Sequence, residues 1–177
     1  MRILGAILAG GRATRFGSDK ALAMLEGRPL IAHVADALAA QADAVVVCGR
    51  EWGALPSLPD RPAPGMGPLG GLCAALRHAA GEGYDAVLSA GCDTLPIPKD
   101  LIDRLIPAPA CIASQPTIGL WPASLAPLLD EHLATTTDLS LRGWARLCGA
   151  IGVECGATPT NLNTPADLAR YARATAG

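Results

Sequence analysis

The first apolar block, Ile3 to Leu8, is a continuous run of the kind that fills a strand buried on both faces. Similar runs return at Ala44 to Val47 and Ala86 to Ser89, with shorter ones at Ala110 to Ser114 and Ile151 to Glu154. Between them the period changes from strand to helix. Pro29 opens a segment whose Leu30, Ile31, Val34 and Leu38 share one helical face, and Pro68 opens another carrying Leu69, Leu72, Cys73 and Leu76. A third helix is predicted through Leu125, Leu128, Leu129 and Leu133. The last follows Thr164 as N-cap, with Pro165 in its first turn, Asp167 three residues after the cap, and Leu168, Tyr171 and Ala172 facing inward. This alternation predicts the α/β class, a mainly parallel sheet covered by helices on both faces, with ligands gathering beyond the carboxyl ends of the strands. Two Pro-rich stretches interrupt it: 51–67 reads as an ordered, non-repetitive crossing loop, and Pro107 to Pro122 as a patch preceding the third helix.

The segment that follows the first strand carries the densest chemistry. Gly10 and Gly11 leave backbone N–H groups bare toward a ligand, and Arg12, Arg15 and Lys20 add cationic donors suited to phosphate. A strongly anionic ligand is expected there. The segment is not a Walker A loop, because Gly11 and Arg12 stand where Lys and Ser/Thr are needed after Gly10. Nor is it the G-x-G-x-x-G dinucleotide loop, since Gly5, Gly10, Gly11 and Gly17 are wrongly spaced. Within it, Asp19 either pairs with Arg15 or Lys20 or is a solvated loop carboxylate.

Composition narrows the range of partners. The chain has 177 residues, half of them hydrophobic, which suits one domain with a substantial core. A net charge of -2 gives no basic field for nucleic acid, and the scattered aromatic residues Phe16, Trp52, Tyr84, Trp121, Trp144 and Tyr171 form no stacking platform for bases. The six cysteines contain no C-x-x-C pair and no His at zinc-ligand spacing, so they read as buried thiols in a reducing compartment. No run of 18 apolar residues occurs, and the chain passes directly from Arg2 into its first strand. A cytoplasmic protein without membrane attachment is expected.

The third strand leads into SAGCDTLPIP, Ser89 to Pro98, which sets Asp93 at a carboxyl end before a chain reversal. One Asp facing a triphosphate is chemically enough for Mg²⁺, which completes its shell with phosphate oxygens and water; the other reading is a turn cap. His33, His78 and His132 fall inside predicted helices with no nucleophile beside them, and read as surface or structural. No G-x-S-x-G elbow supports hydrolase chemistry.

LAGG at Leu8 to Gly11, Arg15, the Asp19–Lys20 pair, GPLGG at Gly67 to Gly71, CDTLPIP, Leu120–Trp121 and NLNTPADL at Asn161 to Leu168 together resemble the molybdenum cofactor guanylyltransferases of the nucleotidyltransferase superfamily. The resemblance spans nearly the whole chain. It implies a single three-layer α/β/α domain over 1–177 with a Rossmann-like sheet, nucleotide-binding to about residue 100 and acceptor-binding beyond. It implies GTP and Mo-molybdopterin as substrates, transfer of GMP with release of pyrophosphate, Mg²⁺ on Asp93, and a protein that delivers the pterin as a partner. By the same match Arg15, Lys20 and Asp93 are the expected catalytic residues. Leu8, Ala9, Gly10, Gly11, Lys20, Cys48, Asp60 and Asp93 are the expected nucleotide or metal contacts. Asp60 would accept hydrogen bonds from guanine N–H groups or be a solvated loop carboxylate. Asn161 and Asn163 would lie near the pterin or serve only loop and cap hydrogen bonds. Two positions depart from the family pattern: Cys48 replaces an Asn that contacts nucleotide, and Gln115 replaces a His. Two alternatives keep the fold: a nucleotidyltransferase for CTP or a sugar phosphate, and a GTP-binding module without catalysis. A flavodoxin-like or NAD-dependent oxidoreductase is a third.

Overall fold

A computed structural model describes residues 1–10, 19–156 and 158–175. In chain order it contains β1 (Ile3–Leu8), β2 (Met24–Leu25), β3 (Arg28–Pro29), α1 (Leu30–Ala39), β4 (Ala44–Cys48), β5 (Ser57–Leu58), α2 (Gly67–Glu82), β6 (Ala86–Gly91) and β7 (Thr94–Leu95). The second half holds α3 (Leu101–Arg104), β8 (Ala110–Ile112), β9 (Gln115–Pro122), α4 (Ala126–Thr135), α5 (Leu141–Leu147), β10 (Ile151–Val153), β11 (Thr160–Asn161) and α6 (Pro165–Thr175).

Seven strands form one sheet in the order β10-β8-β9-β6-β1-β4-β5. β1 is parallel to β4, with Leu8 opposite Cys48, and parallel to β6, with Leu8 opposite Gly91. All six residues of β1 are buried, as a run without polar positions requires. Its side chains alternate between two cores: Ile3 and Ile7 join Leu30, Ile31, Val34 and Leu38 of α1, whereas Leu4, Ala6 and Leu8 join Leu69, Leu72 and Leu76 of α2. The three-layer α/β/α expectation therefore holds. The chain leaves β1 toward β4 on one side and returns to β6 on the other, so the crevice above β1 is the switch point where open parallel sheets bind ligands.

The departures are local. Inside the Pro-rich patch lies β9, antiparallel to both β6 and β8. Its prolines hide the strand pattern: Pro116 falls where the register with β8 shifts, and Pro122 is the last residue of the strand. The 51–67 loop contains the short edge strand β5. In the third predicted helix Leu129 and Leu133 are buried but Leu128 is exposed. α5 lies outside the expectations, a seven-residue helix capped by Ser140, whose Oγ accepts the Gly143 N–H at 3.0 Å. α6 has the expected box: Thr164 Oγ1 accepts the Asp167 N–H at 3.1 Å and donates to its carboxylate at 2.8 Å, while Leu168, Tyr171 and Ala172 pack on the α1 side of the core. No helix among the described residues is long and apolar enough to cross a membrane.

Candidate active site

Leu8, Ala9 and Gly10 leave the sheet between the carboxyl ends of β4 and β6. Ala9 N–H donates to the Cys48 carbonyl at 3.0 Å, and Cys92 N–H donates to the Leu8 carbonyl at 3.2 Å. Neighbouring strands thereby fix the chain from both sides before it opens toward Gly10. Gly49 adopts φ +84°, and a Cβ there would lie 2.5 Å from the Gly10 Cα, so this contact admits only glycine.

Asp60 reaches this point from the crossing loop. A Cβ on Gly10 would come within 2.9 Å of its Oδ2, one on Gly49 within 3.0 Å of its Oδ1, and one on Gly70 within 3.1 Å of its Cβ. Arg61 N–H donates to the Gly70 carbonyl at 3.1 Å and ties the loop to the start of α2. The carboxylate thus sits in a space kept open by glycines. Its Oδ1 is enclosed and has no hydrogen-bond partner among the described residues. Burial pushes its pKa up, with partial relief from the Gly65 N–H. An enclosed acceptor beside Gly10 is not a solvated loop carboxylate, so the structure joins two of the expected nucleotide contacts, Gly10 and Asp60.

Cys48 is placed differently. Its side chain is fully buried on the α2 side, where a Cβ on Gly71 would touch it at 3.0 Å. Burial, then the Asp60 carboxylate, pushes its thiol up to about 12, so it stays neutral. Its visible service to the site is the carbonyl that holds Ala9.

Asp93 lies between β6 and β7, beyond the carboxyl end of β6. Its carbonyl accepts the Leu162 N–H at 2.9 Å, which binds this turn to the segment before α6. A Cβ on Gly91 would meet Thr94 Oγ1 at 2.7 Å, Asp93 Oδ1 at 3.3 Å and Thr117 Oγ1 at 3.7 Å, so three oxygens surround one glycine. Thr117 Oγ1 is enclosed without a partner among the described residues, although its backbone is fixed: the Trp121 indole donates to Ser89 Oγ at 2.9 Å, which donates to the Thr117 carbonyl at 2.8 Å. The donor set is all oxygen with a single carboxylate, the hard type that suits Mg²⁺. It is no protein-only cage, since no group of three or more His, Cys, Asp or Glu fit for a metal occurs among the described residues. Asn161 Oδ1 next door accepts from Thr94 Oγ1 at 2.7 Å and from Gln115 Nε2, which brings Asn161 and Gln115 together beside Asp93.

Gly11, Arg12 and Arg15 lie outside the described residues; Lys20 begins a 3-10 turn, Lys20–Leu22. Both oxygens of Asp19 accept from the fork of Arg50, so it is not merely a solvated carboxylate; the expected pairing with Arg15 or Lys20 falls on side chains outside the described residues. The three histidines have the structural setting expected of them. His33 Nε2 is 2.9 Å from the Leu25 carbonyl, His132 packs against Trp144, and His78 lies within α2. The six cysteines are free, with Cys48, Cys73 and Cys111 buried. Arg50, Thr94 and Thr117 were not anticipated as site residues; the signals in the sequence were the CDTLPIP motif that contains Thr94 and the Gly49–Arg50 step directly after a strand.

Glycines at a switch point, a carboxylate lying against them and a cluster of oxygens at the end of β6 fit a nucleotide-handling α/β domain. Residues 5–147 match the MobA-like NTP transferase domain. The chain belongs to the molybdenum cofactor guanylyltransferase family: it is 44% identical to the molybdenum cofactor guanylyltransferase of Rhodobacter capsulatus, with 96% of this chain and 95% of that protein covered. It is 35% identical to the one of Rhizobium leguminosarum bv. trifolii, with 97% and 92% covered. The same fold occurs in the crystal structure of molybdopterin-guanine dinucleotide biosynthesis protein A from Archaeoglobus fulgidus, with TM-score 0.69, 20% identity and 99% of each chain covered. It also occurs in 2-C-methyl-D-erythritol 4-phosphate cytidylyltransferase from Thermus thermophilus, with TM-score 0.66, 15% identity, and 100% and 99% covered.

Proposed function

We propose that this chain transfers GMP from GTP to the terminal phosphate of Mo-molybdopterin, forming the guanine dinucleotide of the cofactor and releasing pyrophosphate. Family membership supports the reaction class. The observation that carries the choice of base is Asp60, whose carboxylate lies directly against Gly10 with no partner for Oδ1 among the described residues. A carboxylate accepts from two adjacent N–H donors, a pair that guanine presents on one edge and adenine and cytosine do not.

The acceptor phosphate is its own nucleophile. One of its oxygens attacks the α-phosphorus, the bond to the β-phosphate oxygen breaks, and the electron pair leaves with pyrophosphate. An ionised phosphate needs no strong base, so the chain's task is to position reactants and neutralise charge. Backbone N–H groups around Gly10 and Gly11 would hold phosphate oxygens, with Arg15 and Lys20 as cationic donors. Asp93, with the Thr94 and Thr117 hydroxyls nearby, would hold Mg²⁺, which would supply positive charge to offset that of the leaving group. Residues to about 100 would bind the nucleotide and the remainder, around Gln115 and Asn161, the acceptor.

Calorimetric titration with GTP, CTP, ATP and UTP in the presence of Mg²⁺ tests this. Selective GTP binding, weakened in Asp93→Ala, is expected; preference for CTP would keep the chemistry and change the product. Lys20→Ala should lower turnover about a hundredfold or more at an unchanged circular dichroism spectrum. Normal turnover in that variant would remove Lys20 from the mechanism.

A further inference from the structure

We infer that Arg50 is a positioning residue: it clasps the end of the nucleotide loop, through Asp19, to the carboxyl end of β4 and so sets where Lys20 stands. The inference rests on the proposed GTP site. The loop begins at Gly10, against which Gly49 packs directly, and its far end returns at Asp19. Asp19 has two tasks there. Its Oδ1 accepts the Ala21 N–H at 3.2 Å and its carbonyl accepts the Leu22 N–H at 3.1 Å, which builds the turn whose first residue is Lys20. The same carboxylate takes both arms of the Arg50 guanidinium, Nη1 to Oδ1 at 2.7 Å and Nη2 to Oδ2.

Arg50 is itself held on a rigid base. Gly49 N–H donates to the Leu58 carbonyl at 2.9 Å, and Ser57 Oγ donates to the Arg50 carbonyl at 2.8 Å, so β4 and β5 fix its backbone from the far side. The Arg50 side chain is 25% exposed and that of Asp19 39%, so Arg50 is the more sheltered partner of a pair at the surface, and its two-pronged geometry rather than burial is what orients Asp19. Arg suits this task better than Lys, because its planar fork fixes the direction of the carboxylate as well as its distance. Both ends of the phosphate-binding segment are thus anchored to one strand end. A lysine that must meet a triphosphate within a fraction of an ångström benefits from an anchor of that kind.

The test measures Mg·GTP affinity by calorimetry and melting temperature for the wild type, Arg50→Ala, Asp19→Asn, Lys20→Ala and the Lys20→Ala/Arg50→Ala double variant. Asp19→Asn keeps a cap for Ala21 while removing the ion pair, and carries the test if Arg50→Ala folds poorly. Arg50→Ala and Asp19→Asn should each weaken GTP about tenfold, the scale of a lost charge-assisted pair. Arg50→Ala should cost little more in the Lys20→Ala background, and affinity for GMP, which lacks the outer phosphates, should change little. Unchanged GTP affinity in Arg50→Ala and Asp19→Asn, losses that multiply with that of Lys20→Ala, or an equal loss for GMP would each overturn the clasp while leaving the GTP site standing. Failure of the wild type to bind GTP would overturn the functional reading and the clasp with it.

Discussion

At the scale of single residues, Asp60 shows stability and function pulling in opposite directions. Its Oδ1 is enclosed among glycines without a partner among the described residues, and its pKa is raised mainly by burial. The folded state therefore binds a proton more readily than the unfolded chain between the ordinary carboxylate pKa and the raised one. Stability falls as pH rises through that window and stays lower above it. Asp60→Asn removes the charge, so at neutral pH the variant should melt at a higher temperature than the wild type, and the two should converge as pH drops below the window. The same substitution takes away a two-pronged acceptor and should weaken GTP about tenfold or more, with ITP, which lacks the exocyclic amine, affected less. A variant that melts lower at neutral pH, or binds GTP normally, would contradict this account. Wild-type GTP affinity should also decline on acidification into the window, as the carboxylate fills with a proton.

At the scale of elements, the turn after β4 is the joint on which the site depends. Gly49 is left-handed and touches Gly10, so Gly49→Ala meets two obstacles: a conformation costing about 1–2 kcal/mol in an L-residue, and a Cβ placed against the Gly10 backbone. A fall in melting temperature of roughly 2–8 °C is expected from the first obstacle alone, together with weaker GTP binding because Gly10 must move. Thr164→Ala offers a contrast. It removes the α6 capping box for about 1 kcal/mol, and GTP affinity should be unchanged, since the Asp93 turn is held to this segment through the Leu162 N–H and the β7–β11 pair, neither of which involves Thr164. β1, β4 and β6 and helices α1, α2 and α6 were legible because continuous apolar runs and helical periods state burial directly. β9 was not, because Pro116 and Pro122 look like breaks until the register shift and strand end that receive them are known. Among the site residues, Gly10 and Asp93 were readable as strand-end residues, and Asp60 came only from family resemblance. Arg50 escaped altogether, because its value lies in an ion pair to a residue 31 positions away.

At the scale of the whole molecule, the site belongs to no single element. The ends of β1, β4 and β6, the crossing loop and the first turn of α2 all converge above the middle of the sheet, and the β7–β11 pair ties the Asp93 turn to the last helix. A ligand that bridges these parts stabilises the folded chain as one body. At a hundredfold excess over its dissociation constant the gain is about 2.7 kcal/mol, and in a chain of this size each kcal/mol raises the melting temperature by about 2–4 °C. Mg·GTP should therefore raise the melting temperature by roughly 5–11 °C at that excess. If Asp93 holds the metal as proposed, Mg²⁺ alone should do little, because a single carboxylate would leave most of its shell to water until nucleotide phosphates are present. The two ligands should consequently act together, with a shift for the pair larger than the sum of the separate shifts. Asp93→Ala should abolish that excess while keeping the shift due to nucleotide alone, which separates the proposed metal niche at the end of β6 from the proposed base contact at Asp60. Thermal melts of both proteins with Mg²⁺, GTP and the pair decide it. An equal excess in the two proteins would place the metal on residues other than Asp93.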